Sequence, residues 1–124
     1  MPPSSTTAEQ IMSDSPYIIN IDEADFEARV IQASHQQPVL VDFWADWCSP
    51  CRVIAPQLAM VIPEYEGRVL LAKIDADENM KLAGRYKLRG FPTIILFING
   101  EEVDRFGGAK PAQGIREFLD QHVS

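Results

Sequence analysis

Apolar residues fall along this chain in runs and stripes whose spacing switches between that of strands and that of helices. Val39-Leu40-Val41-Asp42-Phe43-Trp44, opened by Pro38, is almost continuously apolar, the mark of a strand buried on both faces. Val69 to Ile74 and Thr93 to Ile98 are further runs of this kind, and Tyr17-Ile18-Ile19 is a shorter strand candidate. Segments of helical period lie between them. Asp22 is placed to cap a helix reaching about Ser34, with Phe26, Val30 and Ile31 inward. A second helix runs from about Ser49 to Glu66 and ends at Gly67; Pro56 should kink it, and Pro63 should kink it again or end it early. Asp77 is expected to cap a short helix from Glu78 to about Gly84, and Pro111 to His122 is amphipathic, with Ile115, Phe118 and Leu119 inward.

Asn99-Gly100 tolerates the positive φ values of a tight hairpin, so Thr93 to Ile98 should pair antiparallel with Glu101 to Phe106. The strand–helix–strand succession from Val39 to Ile74 implies a right-handed parallel crossover. Together these elements predict an α/β domain, a mixed sheet of about five strands covered by helices on both faces.

A chain of 124 residues can bury a core without disulfide staples, and its 46% hydrophobic and 23% charged content is that of a globular domain. A net charge of −7 argues against nucleic-acid binding, and no apolar run approaches the roughly 20 residues of a membrane helix. Met1 to Pro16, rich in Pro, Ser and Thr and without Lys or Arg, reads as a flexible tail, with a short helix around Ala8 to Met12 as the alternative; residues 17–124 form the domain. The tail fits neither a secretory signal nor a transit peptide, so a cytoplasmic protein is expected. Asp75-Ala76-Asp77-Glu78-Asn79 is like the start of a calcium loop, but Met80 and Tyr86 stand where glycine and glutamate are needed. A helix cap is the better account, His35 and His122 read as surface residues, and no metal site is expected.

Cys48 and Cys51 are the chain's two cysteines, two residues apart where the Val39 to Trp44 strand gives way to a helix. With no third cysteine, they belong to no larger framework, and the pair is built to close and reopen a disulfide. Cys48 falls at the helix entrance, where free N–H groups and the macrodipole stabilise a thiolate and lower the thiol pKa. Cys51, one turn further in, should be the more buried. Cys48 is then the sulfur that attacks a partner's disulfide, and Cys51 the one that resolves the mixed disulfide.

Trp44-Ala45-Asp46-Trp47-Cys48-Ser49-Pro50-Cys51 resembles the active-site segment of the thioredoxin family. Ala55-Pro56, Val69 to Asp75, Arg89-Gly90-Phe91-Pro92-Thr93 and Gly107-Gly108 match further family segments in order, and the similarity runs from Tyr17 to the C-terminus. An isolated C-x-x-C also occurs in zinc sites; W-x-x-W before it and F-P-T after it make the signal specific. The resemblance implies the thioredoxin fold, a central five-stranded mixed sheet flanked by four helices. It also implies a disulfide reductase without bound cofactor that acts on disulfide-containing client proteins, is recharged by an NADPH-dependent thioredoxin reductase, and works as a monomer. Cys48 matches the nucleophile, Cys51 the resolving thiol, Asp42 the buried carboxylate and Lys73 its neighbour on the adjacent strand. Pro92 matches a cis-proline facing the cysteines, and Trp47, Gly90, Phe91 and Gly108 the apolar docking surface, with Ser49 and Pro50 exposed to substrate between the cysteines.

Asp42 stands out without the family too, since an unpaired carboxylate in a doubly buried strand is costly. Burial would raise its pKa and fit it to move a proton when Cys51 attacks; the alternative is a structural ion pair with Lys73. Ser49 departs from the commoner glycine, either shifting the reduction potential or simply pointing outward, and Pro63 departs in shape. An oxidase or isomerase, a redox-independent interaction module and a zinc protein are the competing readings. The absence of an export signal, the intact dithiol and the shortage of ligands weigh against them in turn.

Overall fold

The three apolar runs of the sequence become the middle of one sheet in the computed structural model, which describes residues 15–123. Its strands are β1 (Ile18–Asn20), β2 (Val39–Trp44), β3 (Leu70–Asp75), β4 (Thr93–Ile98) and β5 (Glu101–Gly107), in the order β1-β3-β2-β4-β5. β3 runs parallel to both β1 and β2, whereas β4 is antiparallel to β2 and β5 to β4. β2, flanked on both sides, is buried from Val39 to Phe43.

Side-chain alternation splits the core. Leu40, Leu71, Ile94 and Leu96 pack with Ile54, Leu58, Ile115 and Leu119 on one face. Val41, Phe43, Ile74, Ile95 and Phe97 pack with Phe26, Val30 and Leu82 on the other. Four helical segments supply these partners. α1 starts as an α-helix at Glu23–Phe26, widens to π pairing over Glu27–Gln32 and tightens to 3₁₀ at Ala33–His35. α2 covers Ser49–Val61, α3 Met80–Arg85 and α4 Ala112–Asp120.

α2 runs through Pro56 and its regular part ends at Val61, before a 3₁₀ turn, Ile62–Tyr65, around Pro63, the early end expected of that proline. Other details differ from expectation. Asp22 occupies the N-cap position of α1 yet makes no side-chain cap; the Glu23 N–H donates to Asn79 Oδ1 at 2.7 Å. Asn79 Nδ2 donates to the Asp75 carbonyl at 2.9 Å and to Asp22 Oδ1 at 3.3 Å. Asp77 does not cap α3, which begins after Asn79, and Ile31 is only half-buried. The hairpin turns at Asn99 (φ 53°) and Gly100 (φ 82°), held to the end of α1 by Ser34, whose carbonyl and Oγ accept from their N–H groups at 2.9 and 2.8 Å.

Of the expected tail, Met1 to Asp14, with the alternative helix at Ala8 to Met12, lies outside the described residues. Ser15 is part of the domain's opening turn: its Oγ and carbonyl accept from the N–H groups of Tyr17 and Ile18, each at 3.2 Å.

Candidate active site

β2 delivers the chain to the mouth of α2, where Cys48 is the N-cap residue in extended conformation. Its Sγ accepts a hydrogen bond from the Cys51 N–H at 3.1 Å, the contact that would stabilise a thiolate there. Ser49 and Pro50 fill the first helical positions, where proline has no intrahelical bond to lose. Cys48 and Cys51 are disulfide-bonded, with Cα atoms 5.3 Å apart.

Cys51 is not the deeper of the two in this oxidised form: Cys48 is 3% exposed and Cys51 5%. The bond draws both sulfurs into one pocket against Ala45, Trp44 and Phe91. What separates them is surroundings. Cys48 sits at the helix terminus, whereas Cys51 lines a cavity of about 140 Å³ shared with Asp42, Trp44 and Lys73.

Register places Asp42 opposite Lys73 on β3 and Ile94 on β4. Its carboxyl is 1% exposed and its Oδ1 has no hydrogen-bond partner. Burial pushes its pKa from 3.8 up to about 6, against the opposing pull of the Lys73 charge. Lys73 approaches no closer than the 4.0 Å limit of an ion pair, so the structural salt bridge does not form. Trp44, whose Nε1 is a second buried polar atom without a protein partner, borders the same cavity, which is roomy enough for water.

Above the disulfide, the Trp47 indole is 67% exposed, donates through Nε1 to Asp77 Oδ2 at 3.0 Å and meets Phe91 edge-on at 5.6 Å between centroids. The Phe91–Pro92 peptide is cis. Thr93 Oγ1 donates to the Gly90 carbonyl at 2.6 Å, and the Gly108 N–H to that of Pro92 at 3.1 Å, which ties β5 to this corner. Beside it opens a groove of about 620 Å³, walled by Gly90, Phe91, Pro92, Gly107 and Gly108. The residues singled out in sequence thus converge on one end of the sheet. Asp77 was missed as the Trp47 anchor: nothing in local spacing joins residues thirty positions apart.

The thioredoxin family model matches residues 17–121. The chain belongs to the thioredoxin family. Thioredoxins of Staphylococcus aureus strains Mu50 / ATCC 700699, MW2 and N315 are each 40% identical to it over 106 residues, covering 86% of this chain and 98% of theirs. Membership and the Cys48–Cys51 disulfide make it a thiol–disulfide oxidoreductase of thioredoxin type, acting on proteins that carry disulfides. As expected from the sequence, the thioredoxin fold is present, with five strands in a mixed sheet and four helices. Among the described residues no helix is long and apolar enough to cross a membrane, and no cluster of His, Cys, Asp or Glu is arranged to hold a metal.

Proposed function

We propose that this chain works in the reducing direction, with Cys48 as nucleophile, Cys51 as resolving thiol and Asp42 as proton carrier. The Cys48 thiolate attacks one sulfur of a client disulfide, forming a mixed disulfide and releasing the other client sulfur as a thiolate, which takes up a proton. Cys51 then passes its proton to the Asp42 carboxylate across their shared cavity and attacks the Cys48 sulfur. The second client thiol leaves, two electrons have moved to the client, and Cys48–Cys51 is oxidised. Lys73 tunes Asp42 as a nearby positive charge. Trp47, Ser49, Pro50, Gly90, Phe91, Pro92 and Gly108 form the surface on which the client lies.

The observation that carries this reading is the asymmetry of the two sulfurs, one on a helix terminus and the other over a buried carboxyl with an unpartnered oxygen. An NADPH-dependent thioredoxin reductase returns the electrons. Two cysteines, both in the reactive pair, suit a reducing compartment such as the cytoplasm, and the protein acts as a monomer. Turnover of insulin disulfides with NADPH and a thioredoxin reductase tests the reading, together with the reduction potential. A value near −270 mV is expected, whereas one between about −180 and −120 mV would make it an isomerase or oxidant.

A further inference from the structure

The groove beside Pro92 differs in charge from the rest of the molecule. In a chain of net charge −7, its outer wall carries Lys87, Arg89 and Arg105. Glu102 neutralises Arg105 through a two-pronged pair, Nε to Oε2 at 2.5 Å and Nη2 to Oε1 at 2.6 Å. Lys87 and Arg89 are both exposed, and among the described residues neither is paired with a carboxylate. Asp77, also exposed, holds the Trp47 indole that meets Phe91 at the groove's edge. The groove wall therefore carries two uncompensated positive charges, Lys87 and Arg89.

Lys87 is held at a left-handed backbone position. It closes α3 with φ 54°, its N–H donating to the Gly84 carbonyl at 3.1 Å, the left-handed site after a helix that glycine fills most easily. A long cationic side chain stands where the backbone favours glycine, as Glu66 does at φ 52° after the 3₁₀ turn.

We propose that the Lys87–Arg89 wall selects clients bearing acidic residues on one side of their disulfide cysteine, and so sets the direction in which a client chain crosses the site. The proposal rests on the reading above that clients dock along Pro92. Opposite charges at the groove raise the population of docked client, and the reversed orientation carries the client's acidic residues away from that wall. No covalent step changes; the selection acts on kcat/KM.

The test uses disulfide-linked peptides of one length carrying two Asp or two Lys residues, either before or after the cysteine, with reductase and NADPH at low salt. In one of the two placements, the Asp peptide should exceed its Lys counterpart by about threefold to tenfold in kcat/KM, the yield of two exposed charge pairs. In about 1 M salt, where charges are screened beyond roughly 3 Å, the preference should vanish. The double variant Lys87→Asp, Arg89→Glu, which keeps a residue tolerant of left-handed φ at the first position, should favour the Lys peptide. Equal turnover of Asp and Lys peptides in both placements, or a preference that survives the double variant, overturns the proposal. Failure of the unaltered protein to reduce any of the peptides overturns the reductase reading instead.

Discussion

Asp42→Asn separates what the buried carboxyl does to the fold from what it does for the chemistry. Folding raises its pKa from 3.8 to about 6, so the folded protein holds that proton more tightly than the unfolded chain. Stability is therefore fullest below pH 4 and falls as pH rises, until above about pH 6 the whole cost of the buried charge is present. At about 1.4 kcal/mol per pH unit, the displacement corresponds to about 3 kcal/mol. Asparagine removes that charge but brings an amide into a place where Oδ1 already lacks a partner, at about 1–3 kcal/mol. The pH dependence of the change is free of this offset. In urea titrations of the oxidised protein, the variant's stability relative to the parent should be about 2–2.5 kcal/mol more favourable at pH 7.5 than at pH 4. A difference under about 1 kcal/mol between the two pH values refutes the buried-charge account.

Activity should move the other way. Losing the proton acceptor slows resolution by Cys51, by up to about 100-fold near neutral pH if Asp42 acts as a general base. The parent's rate should fall as pH drops through about 6, and this limb should be absent from the variant. Rapid-mixing measurement of mixed-disulfide resolution across pH decides it, and equal rates in the two proteins at every pH would refute the proton-carrier role.

Three other perturbations probe chemistry and fold. Cys51→Ser should accumulate mixed disulfides at Cys48 that gel electrophoresis resolves and dithiothreitol releases; equal trapping by Cys48→Ser would reverse the assigned roles. Asn79→Ala removes the acceptor of the Glu23 N–H and the donor to the Asp75 carbonyl, and should lower stability by about 2 kcal/mol, whereas Asp22→Ala should cost under about 1 kcal/mol. Urea midpoints giving the opposite ranking would show that Asp22 is the cap after all. Gly100→Ala sets a Cβ 2.9 Å from His35 Nε2 at φ 82° and should cost about 1–2 kcal/mol; His35→Ala in that background should restore the part due to the clash and leave the backbone part. Full restoration would mean that the backbone carries no strain.

Sequence legibility followed the range of the interactions involved. β2 was readable because burial on both faces leaves its mark within six consecutive residues, and the hairpin because Asn99 and Gly100 alone satisfy its φ requirement. The Cys48 cap needs only the next three residues and was equally plain. Contacts across the chain were not. Asn79 reaches 56 positions back to open α1, so the aspartate in the cap position makes no cap bond. Asp77 reads locally as a helix start because its partner, Trp47, is remote in sequence. The depth of the two sulfurs is not legible in the sequence for a related reason: helical position distinguishes them, but the disulfide and the packing of Phe91 equalise their cover.

The buried atoms without partners point to the same place as the cysteines. Among the described residues two side-chain atoms are both buried and unpartnered, Asp42 Oδ1 and Trp44 Nε1, and both residues border the cavity under Cys51. Elsewhere the fold satisfies its polar groups even at long range, as Asn79 and Ser34 do. Asp42 and Trp44 thus bring their buried polar atoms without protein partners to one cavity, where water has room to reach the carboxyl beside the resolving thiol. A close Lys73 salt bridge would hold the carboxyl pKa low, leaving a base too weak to take a thiol proton near neutral pH. Lys73 in register but beyond contact leaves Asp42 with a pKa of about 6, ionised at neutral pH yet basic enough to accept the proton that Cys51 must give up.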